Sequence, residues 1–201
     1  MNYLAHLFLS APTPESLIGN LLGDFVKGSV KHLYTEEIRR GIDLHRKIDI
    51  YTDSHDVVRS SKSFIHPDRR KFAGIIIDIF YDHFLAKNWR EYSKVSLPEF
   101  TNYVYQVLEA NRNTLPDSLQ RILPHLIVED WLTSYREFSG IDRTLKRMSA
   151  RIKRANNLGD AIEDLQTNYQ QFESDFRAFF PDLIDYTKSM TVGAGETAQS
   201  Y

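Results

Sequence analysis

The chain has 201 residues, 42% of them hydrophobic and 26% charged, with a formal net charge of −2 and no cysteine. That length suits one domain with a substantial core, and the balanced charge gives no general attraction for nucleic acid or anionic membranes. Without cysteine there is no thiolate nucleophile, disulfide, zinc finger or iron–sulfur site, so any metal must bind through His, Asp, Glu or Asn.

Met1-Asn2-Tyr3-Leu4-Ala5-His6 lacks a basic leader region, and no apolar run approaches membrane-spanning length, so a cytoplasmic protein without membrane insertion is expected. Thr13-Pro14-Glu15-Ser16 then supplies an N-cap with proline at the first helical position, and Gly28 is the expected stop. Thr35 opens a segment rich in helix formers and charge that runs through His45 into Asp53. Pro67 opens a long helix, Asp68 to about Glu91, whose centre from Gly74 to Phe80 is apolar almost all round and so suits the middle of a domain. Ser96-Leu97-Pro98-Glu99 reads as a capping box ahead of Phe100 to Asn113.

Pro116 starts the next segment, which Pro124 is expected to break or kink before Trp131 and Tyr135. Ile141, Leu145, Met148, Ile152 and Ala155 then form a helix stripe. Gly159-Asp160 starts a last long helix toward Phe180, with Pro181 restarting or bending it. Strand-like alternation and internal repeats are lacking. The expectation is an all-α, single-domain helical bundle over residues 1–190, followed by a flexible tail over 191–201.

Three stretches hold most of the acids and histidines suited to chemistry: His6 with Asn20 and Asp24, then Leu44 to Asp49, then Asp78 to His83. A four-residue step returns to nearly the same helix face, so Asn20/Asp24, His45/Asp49, Asp49/Asp53 and Asp78/Asp82 each stack one above the other. Helices that each present a small His/Asp set can converge on a divalent ion. Each stretch also has a plain structural reading. The His45 helix could be a solvated face whose acids pair with Arg46 and Lys47, and His6, among Leu4, Leu7, Phe8 and Leu9, could be a hydrogen-bonded core residue. Asp78 and Asp82 share a helix that is otherwise apolar, so burial demands a cation, either a basic side chain or a metal beside His83. Gly19 and Gly23 lie roughly on the Asn20/Asp24 face and would let a helix or ligand approach closely.

Taken together, Asn2 to Leu7, Gly19 to Val26, Leu44 to Asp49 with Thr52-Asp53, and Tyr81 to Leu85 resemble the acyl carrier protein phosphodiesterase family, also called acyl-carrier-protein hydrolase. The motifs cover residues 1 to about 90, and the later helices match by character and length. The resemblance implies a fold related to the all-helical HD phosphohydrolases and a manganese-dependent enzyme of lipid metabolism, with magnesium or another divalent ion as alternatives. It implies cleavage of the phosphodiester that joins 4′-phosphopantetheine to a serine of holo acyl carrier protein. Carried onto this chain, it marks Asp24, His45, Asp82 and His83 as the core of a metal site. His6, Asn20, Asp49 and Asp78 become further ligands or their supports, and Asp53 another support. The adjacent pair reads Asp82-His83 rather than the His-Asp of the wider HD pattern, which leaves the role of each open.

The expected mechanism has one or two divalent ions acidify a water that attacks phosphorus. Asp49 would orient that water or protonate the departing serine oxygen, and Arg46 or Lys47 would neutralise phosphoryl charge. The carrier protein is acidic, so a basic dock is expected. Arg143, Lys146, Arg147, Arg151, Lys153 and Arg154 are the first candidate, and Arg69-Arg70-Lys71 the second. Two other functions fit the same residues: an HD-like phosphohydrolase acting on a nucleotide or small phosphoester, and a non-catalytic helical module that binds an acidic partner.

Overall fold

The computed structural model describes residues 1–28 and 32–195, and among these the regular secondary structure is all helical, with no strand. Helix α1 is Tyr3–Phe8, α2 Pro14–Leu22, α3 Glu36–Ser54 and α4 Asp56–Ser63. A 3-10 turn at Pro67–Phe72 leads into α5, Ala73–Lys87, and the single-turn α6, Trp89–Tyr92. Then follow α7, Leu97–Ala110, α8, Asp117–Val128, α9, Trp131–Ser134, and α10, Phe138–Arg151. The short α11, Ile162–Thr167, precedes the long α12, Tyr169–Gly195. The part of the expected tail from residue 196 onward lies outside the described residues.

Side-chain caps start several of these helices where the sequence places them. Thr13 Oγ1 accepts from the Ser16 amide at 3.3 Å, and Thr35 Oγ1 from Ile38 at 3.4 Å. Ser96 and Glu99 form the full reciprocal capping box of α7. Other boundaries differ from expectation. The first capped helix stops at Leu22, well short of Gly28, and α4 begins after a break at His55 that the sequence pattern does not announce. The single helix expected from Asp68 to Glu91 is instead a 3-10 turn, α5 and α6, with Asn88 Nδ2 closing α5 on the Phe84 carbonyl at 3.0 Å.

Pro124 and Pro181 do not break their helices. Both are exposed, so water can serve the carbonyl that each leaves without its helical donor. The stripe from Ile141 also ends early. Helix α10 stops at Arg151, and Ala155 is exposed beyond it.

Helix α5 is the central element, and its apolar ring of side chains explains why. Ile76, Ile77, Ile79, Phe80, Tyr81, Phe84 and Leu85 are all fully buried. Against them α12 packs Phe172, Phe176 and Phe179, with Phe80–Phe172 ring centres at 5.3 Å and Tyr81–Phe176 at 5.6 Å, both edge-on. Each such aromatic removed from water contributes roughly 1.5–3 kcal/mol. On the other side α2 crosses α3 almost backbone to backbone at Gly19 and Gly41. A Cβ on Gly41 would lie 2.8 Å from the Asn20 nitrogen, and one on Gly19 would collide with the Ile38 carbonyl. This close crossing brings Asn20 and Asp24 of the α2 region against His45 and Asp49 of α3.

Candidate metal centre

His45 occupies space that Gly23 leaves open: a Cβ on Gly23 would overlap the imidazole itself. The ring is pinned from its other edge, where Nδ1–H donates to the Asn20 carbonyl at 2.7 Å. A carbonyl can only accept, so the proton of a neutral His45 sits on Nδ1 and Nε2 carries the lone pair. That Nε2 lies 3.2 Å from Asp49 Oδ2 and 3.8 Å from Asp24 Oδ1. This is the arrangement of a metal-binding histidine, whose far nitrogen is held by a backbone carbonyl while the near one faces the ion.

His6 of α1 lies flat on His45, ring centres 3.7 Å apart and planes 15° off parallel. Its Nδ1 is 3.0 Å from Asn20 Oδ1, and its Nε2 is 3.2 Å from Asp49 Oδ1 and 3.0 Å from the Met1 carbonyl. Asn20 Nδ2 donates to the His6 carbonyl at 2.8 Å and to Ser10 Oγ at 3.0 Å, which leaves Oδ1 as the acceptor for His6. Burial lowers the His6 pKa to about 4, against an opposing hydrogen bond to Asp49, so at neutral pH the ring has a single proton. Both of its nitrogens face acceptor oxygens, and one must therefore present a lone pair to another lone pair. A cation relieves that conflict.

Asp49 stands between the two rings, one oxygen toward each. Burial pushes its pKa up, but the adjacent His45 and His6 rings and the nearby amino group outweigh this and hold it far below the usual carboxylate range. The Met1 amino group lies 3.3 Å from Asp49 Oδ1 and 3.1 Å from Asp78 Oδ1. Burial there lowers the pKa, yet Asp78 and Asp49 together raise it to about 10. Ligand atoms of His6, His45 and Asp49 all lie within 4.8 Å of one another, a group able to hold a metal ion. Neighbouring ligands set at right angles about 2.1 Å from one ion lie about 3 Å apart, so the 3.2 Å gaps between Asp49 and each ring fit. An imidazole and carboxylate set without sulfur suits a divalent ion such as manganese, magnesium or zinc.

The structure places other expected site residues elsewhere. His83 Nδ1 is bonded to the Tyr135 carbonyl at 2.8 Å and Nε2 to the Tyr169 hydroxyl at 3.0 Å, so it does not join the cluster. Asp82 is fully buried and accepts from the Leu4 and Ala5 amides at 2.8 and 3.0 Å, fastening the start of α1 to α5. Asp78 borders the cluster through the Met1 amino group. Asp53 pairs with Lys62 at 2.7 Å, and Arg46 donates to the Gly28 carbonyl at 2.9 Å and lies 3.7 Å from Asp43.

Among the expected dock residues, Arg69 is corrected outright. It is buried, and its Nε and Nη2 clamp the two oxygens of Asp164 at 2.9 Å each. Arg147 is half-buried over the Trp131 ring and bonded to Glu129, whereas Arg70, Arg143, Arg151 and Arg154 are exposed.

Asp24 is where the cluster opens outward: its side chain is 39% exposed and lines a cleft of about 500 Å³. Asn2, Tyr3 and Phe25 line the cleft on the same side, facing residues of α8 and α10. Sequence reading did not single out Tyr3 or the α8 residues. Nothing in the local pattern of α8 marks a site, because its partners lie nearly a hundred residues earlier in the chain.

By fold and site this is an all-helical protein with a buried imidazole–carboxylate cluster, set at a helix crossing and open to one cleft. A sequence model of the acyl carrier protein phosphodiesterase family matches residues 1–183. Among similar proteins, the acyl carrier protein phosphodiesterase of Enterobacter sp. (strain 638) is 38% identical over 193 residues, covering 94% of this chain and 98% of that protein. Those of Serratia proteamaculans (strain 568), 34% identical over 94% of this chain and 98% of that protein, and of Yersinia enterocolitica, 33% identical over 96% and 100%, are also similar. The chain belongs to the acyl carrier protein phosphodiesterase family, a family of enzymes. No solved structure matches the chain. Among the described residues, no helix is long and apolar enough to cross a membrane.

Proposed function

We propose that the protein is a metal-dependent phosphodiesterase that releases 4′-phosphopantetheine from the serine of holo acyl carrier protein, leaving the apo protein. The observation that carries this reading is the convergence of His6 Nε2 and His45 Nε2 on the two oxygens of Asp49, with Asp24 facing the cleft beside them. The names of the relatives support the substrate.

His6, His45, Asp49 and Asp24 would hold a divalent ion, manganese or magnesium, which when bound would supply Lewis acidity toward a phosphoryl oxygen and a more acidic water. The residues of the chain do the rest. Asn20 and Gly23 orient His45, one through its carbonyl and the other by making room. Asp49 carries negative charge between the rings, and Asp24, reached from solvent, takes the proton of the attacking water as the new P–O bond forms and returns it to the serine oxygen as the P–O bond to serine breaks. The exposed Arg143 and Arg154 on and just beyond α10 offer positive charge to an acidic carrier protein.

The test is incubation of the purified protein with holo acyl carrier protein in Mn²⁺, then in chelator, read by intact mass. The expected result is loss of one phosphopantetheine with the ion present, no loss in chelator, and bound metal that disappears in His45→Ala. Holo protein left unmodified by the ion-loaded enzyme, while members of a nucleotide panel are hydrolysed, would reassign the substrate. Equal turnover in chelator would remove the metal.

A further inference from the structure

The cleft beside Asp24 contains two arginines that the metal cluster does not use. Arg121 of α8 and Arg151 at the end of α10 both line it. Neither has a carboxylate partner among the described residues, in contrast to Arg147 one turn before Arg151, which is bonded to Glu129 at 2.9 Å. Two guanidinium groups facing one cavity repel each other and attract an anion.

A second, independent feature points the same way. Asn2 is 5% exposed and lines the same cleft, and its Nδ2, though near the Tyr135 hydroxyl, has no hydrogen-bond acceptor. A buried amide N–H left open costs free energy unless a ligand oxygen meets it. The Tyr3 hydroxyl interacts with both Asp24 and Arg151 and so links the cluster to the arginines. Between these polar groups the wall is apolar, formed by Phe25, Ile122 and Met148. The cleft therefore offers a donor set for a phosphate and a greasy track for an organic chain.

We propose that this cleft seats the phosphopantetheine arm of the substrate, with Arg121, Arg151 and Asn2 gripping its phosphate next to Asp24 and the chain lying along Phe25, Ile122 and Met148. The assignment rests on the proposed phosphodiesterase reading and gives the phosphate cationic partners within the cleft itself. It makes Arg121 and Arg151 substrate-binding residues, distinct from a diffuse electrostatic dock.

Calorimetric binding of free 4′-phosphopantetheine, with phosphate-free pantetheine as control, tests this without turnover. The wild-type protein is expected to bind the phosphorylated compound at least about tenfold more tightly than pantetheine. In Arg121→Gln/Arg151→Gln that preference is expected to vanish while pantetheine binding is unchanged, and Arg151→Lys should keep part of it. Both positions are exposed on helices, so helical circular dichroism should match wild type. Equal binding of the two compounds by wild type, or a double variant that retains the preference, overturns the cleft assignment even if holo acyl carrier protein is cleaved. Preference lost in the double variant supports it, even if the wild type does not cleave the carrier protein and the catalytic reading fails.

Discussion

Two sets of histidine and aspartate meet at α1, one through His6 and the other through the Leu4 and Ala5 amides, and they differ in how their polar atoms are answered. In the His6–His45–Asp49 set, ring nitrogens face oxygens that cannot all be answered by protons, and Asp24 opens the set to solvent. In the Asp82–His83 pair every side-chain nitrogen and oxygen has a bonded partner inside the protein: Leu4, Ala5, the Tyr135 carbonyl and the Tyr169 hydroxyl. Residue types are the same in both, and the histidines are equally buried, although Asp49 is partly exposed where Asp82 is not. A ligand set is distinguished by lone pairs left over after the protein's own hydrogen bonds are counted, and a set with none left over is scaffold.

The sharpest break between the two comes from removing one histidine from each. His45→Ala should lower turnover on the order of 10³-fold or more, abolish metal binding, and leave the circular-dichroism spectrum unchanged. His83→Phe should leave turnover per folded molecule within about threefold. It should also reduce unfolding free energy by about 1–3 kcal/mol, because the Tyr135 carbonyl loses its imidazole donor and the Tyr169 hydroxyl keeps only its bond from Lys87. Metal titration and urea denaturation of the two variants side by side decide the matter. A His83 variant that folds normally but binds no metal would dissolve the distinction.

Asp82 gives the scaffold set a pH signature. Burial raises its pKa from 3.8 to about 7, against the two amide donors that favour the charged form. The folded protein thus holds a proton that the unfolded chain releases between about pH 4 and 7. The associated stability is fully present below pH 4 and is lost as pH rises through 7, a span of about 4 kcal/mol at most. Asp82→Asn cannot titrate and sets an amide donor against a backbone N–H, so it should be the less stable protein at pH 4.5. Its deficit should shrink at pH 7.5. Urea denaturation of both chains at these two values checks it, and parallel profiles would place the Asp82 pKa near its ordinary value.

A smaller lesion acts on the cluster from behind. In Gly23→Ala the new methyl group overlaps Cγ and Cδ2 of the His45 ring and must displace it. Metal affinity and turnover should each fall by about 10- to 100-fold, the usual scale for a displaced support of a ligating histidine. Stability should fall by about 1–3 kcal/mol from overpacking. Wild-type metal affinity in this variant would mean that the ring position is not set by the glycine.

These contrasts also explain what the sequence could disclose. Caps are local, so Thr13, Thr35 and the Ser96/Glu99 box were legible, and so was the all-helical class. The i,i+4 steps and the Gly19/Gly23 face pointed to Asn20, Asp24, His45 and Asp49, which the α2–α3 crossing does bring together. The adjacency of Asp82 and His83 did not disclose that they meet different partners, because neighbours on a helix point about 100° apart. Arg69 misled for a related reason. Its partner Asp164 lies in α11, and a run of three basic residues looks exposed until that distant acid is known. The cleft itself was out of reach, since Asn2, Asp24, Arg121 and Arg151 share no local pattern and meet only through packing.

The rule about unanswered groups extends to the basic residues and gives the mildest expected effect. Arg69 has its carboxylate inside the protein, and Arg143 is an exposed cation on α10. Arg143→Glu should therefore raise KM for holo acyl carrier protein by a few-fold at low ionic strength, with kcat unchanged. The effect should shrink as salt rises toward 0.5 M, because an exposed charge acts over roughly a Debye length of 10 Å or less. Arg69→Gln should do the reverse: KM unchanged at every salt concentration and the midpoint of urea unfolding lowered, since Asp164 is left buried without its cation. If Arg69→Gln alone shifts KM in a salt-dependent way, the carrier protein approaches over α11 and α10 is an ordinary solvated helix.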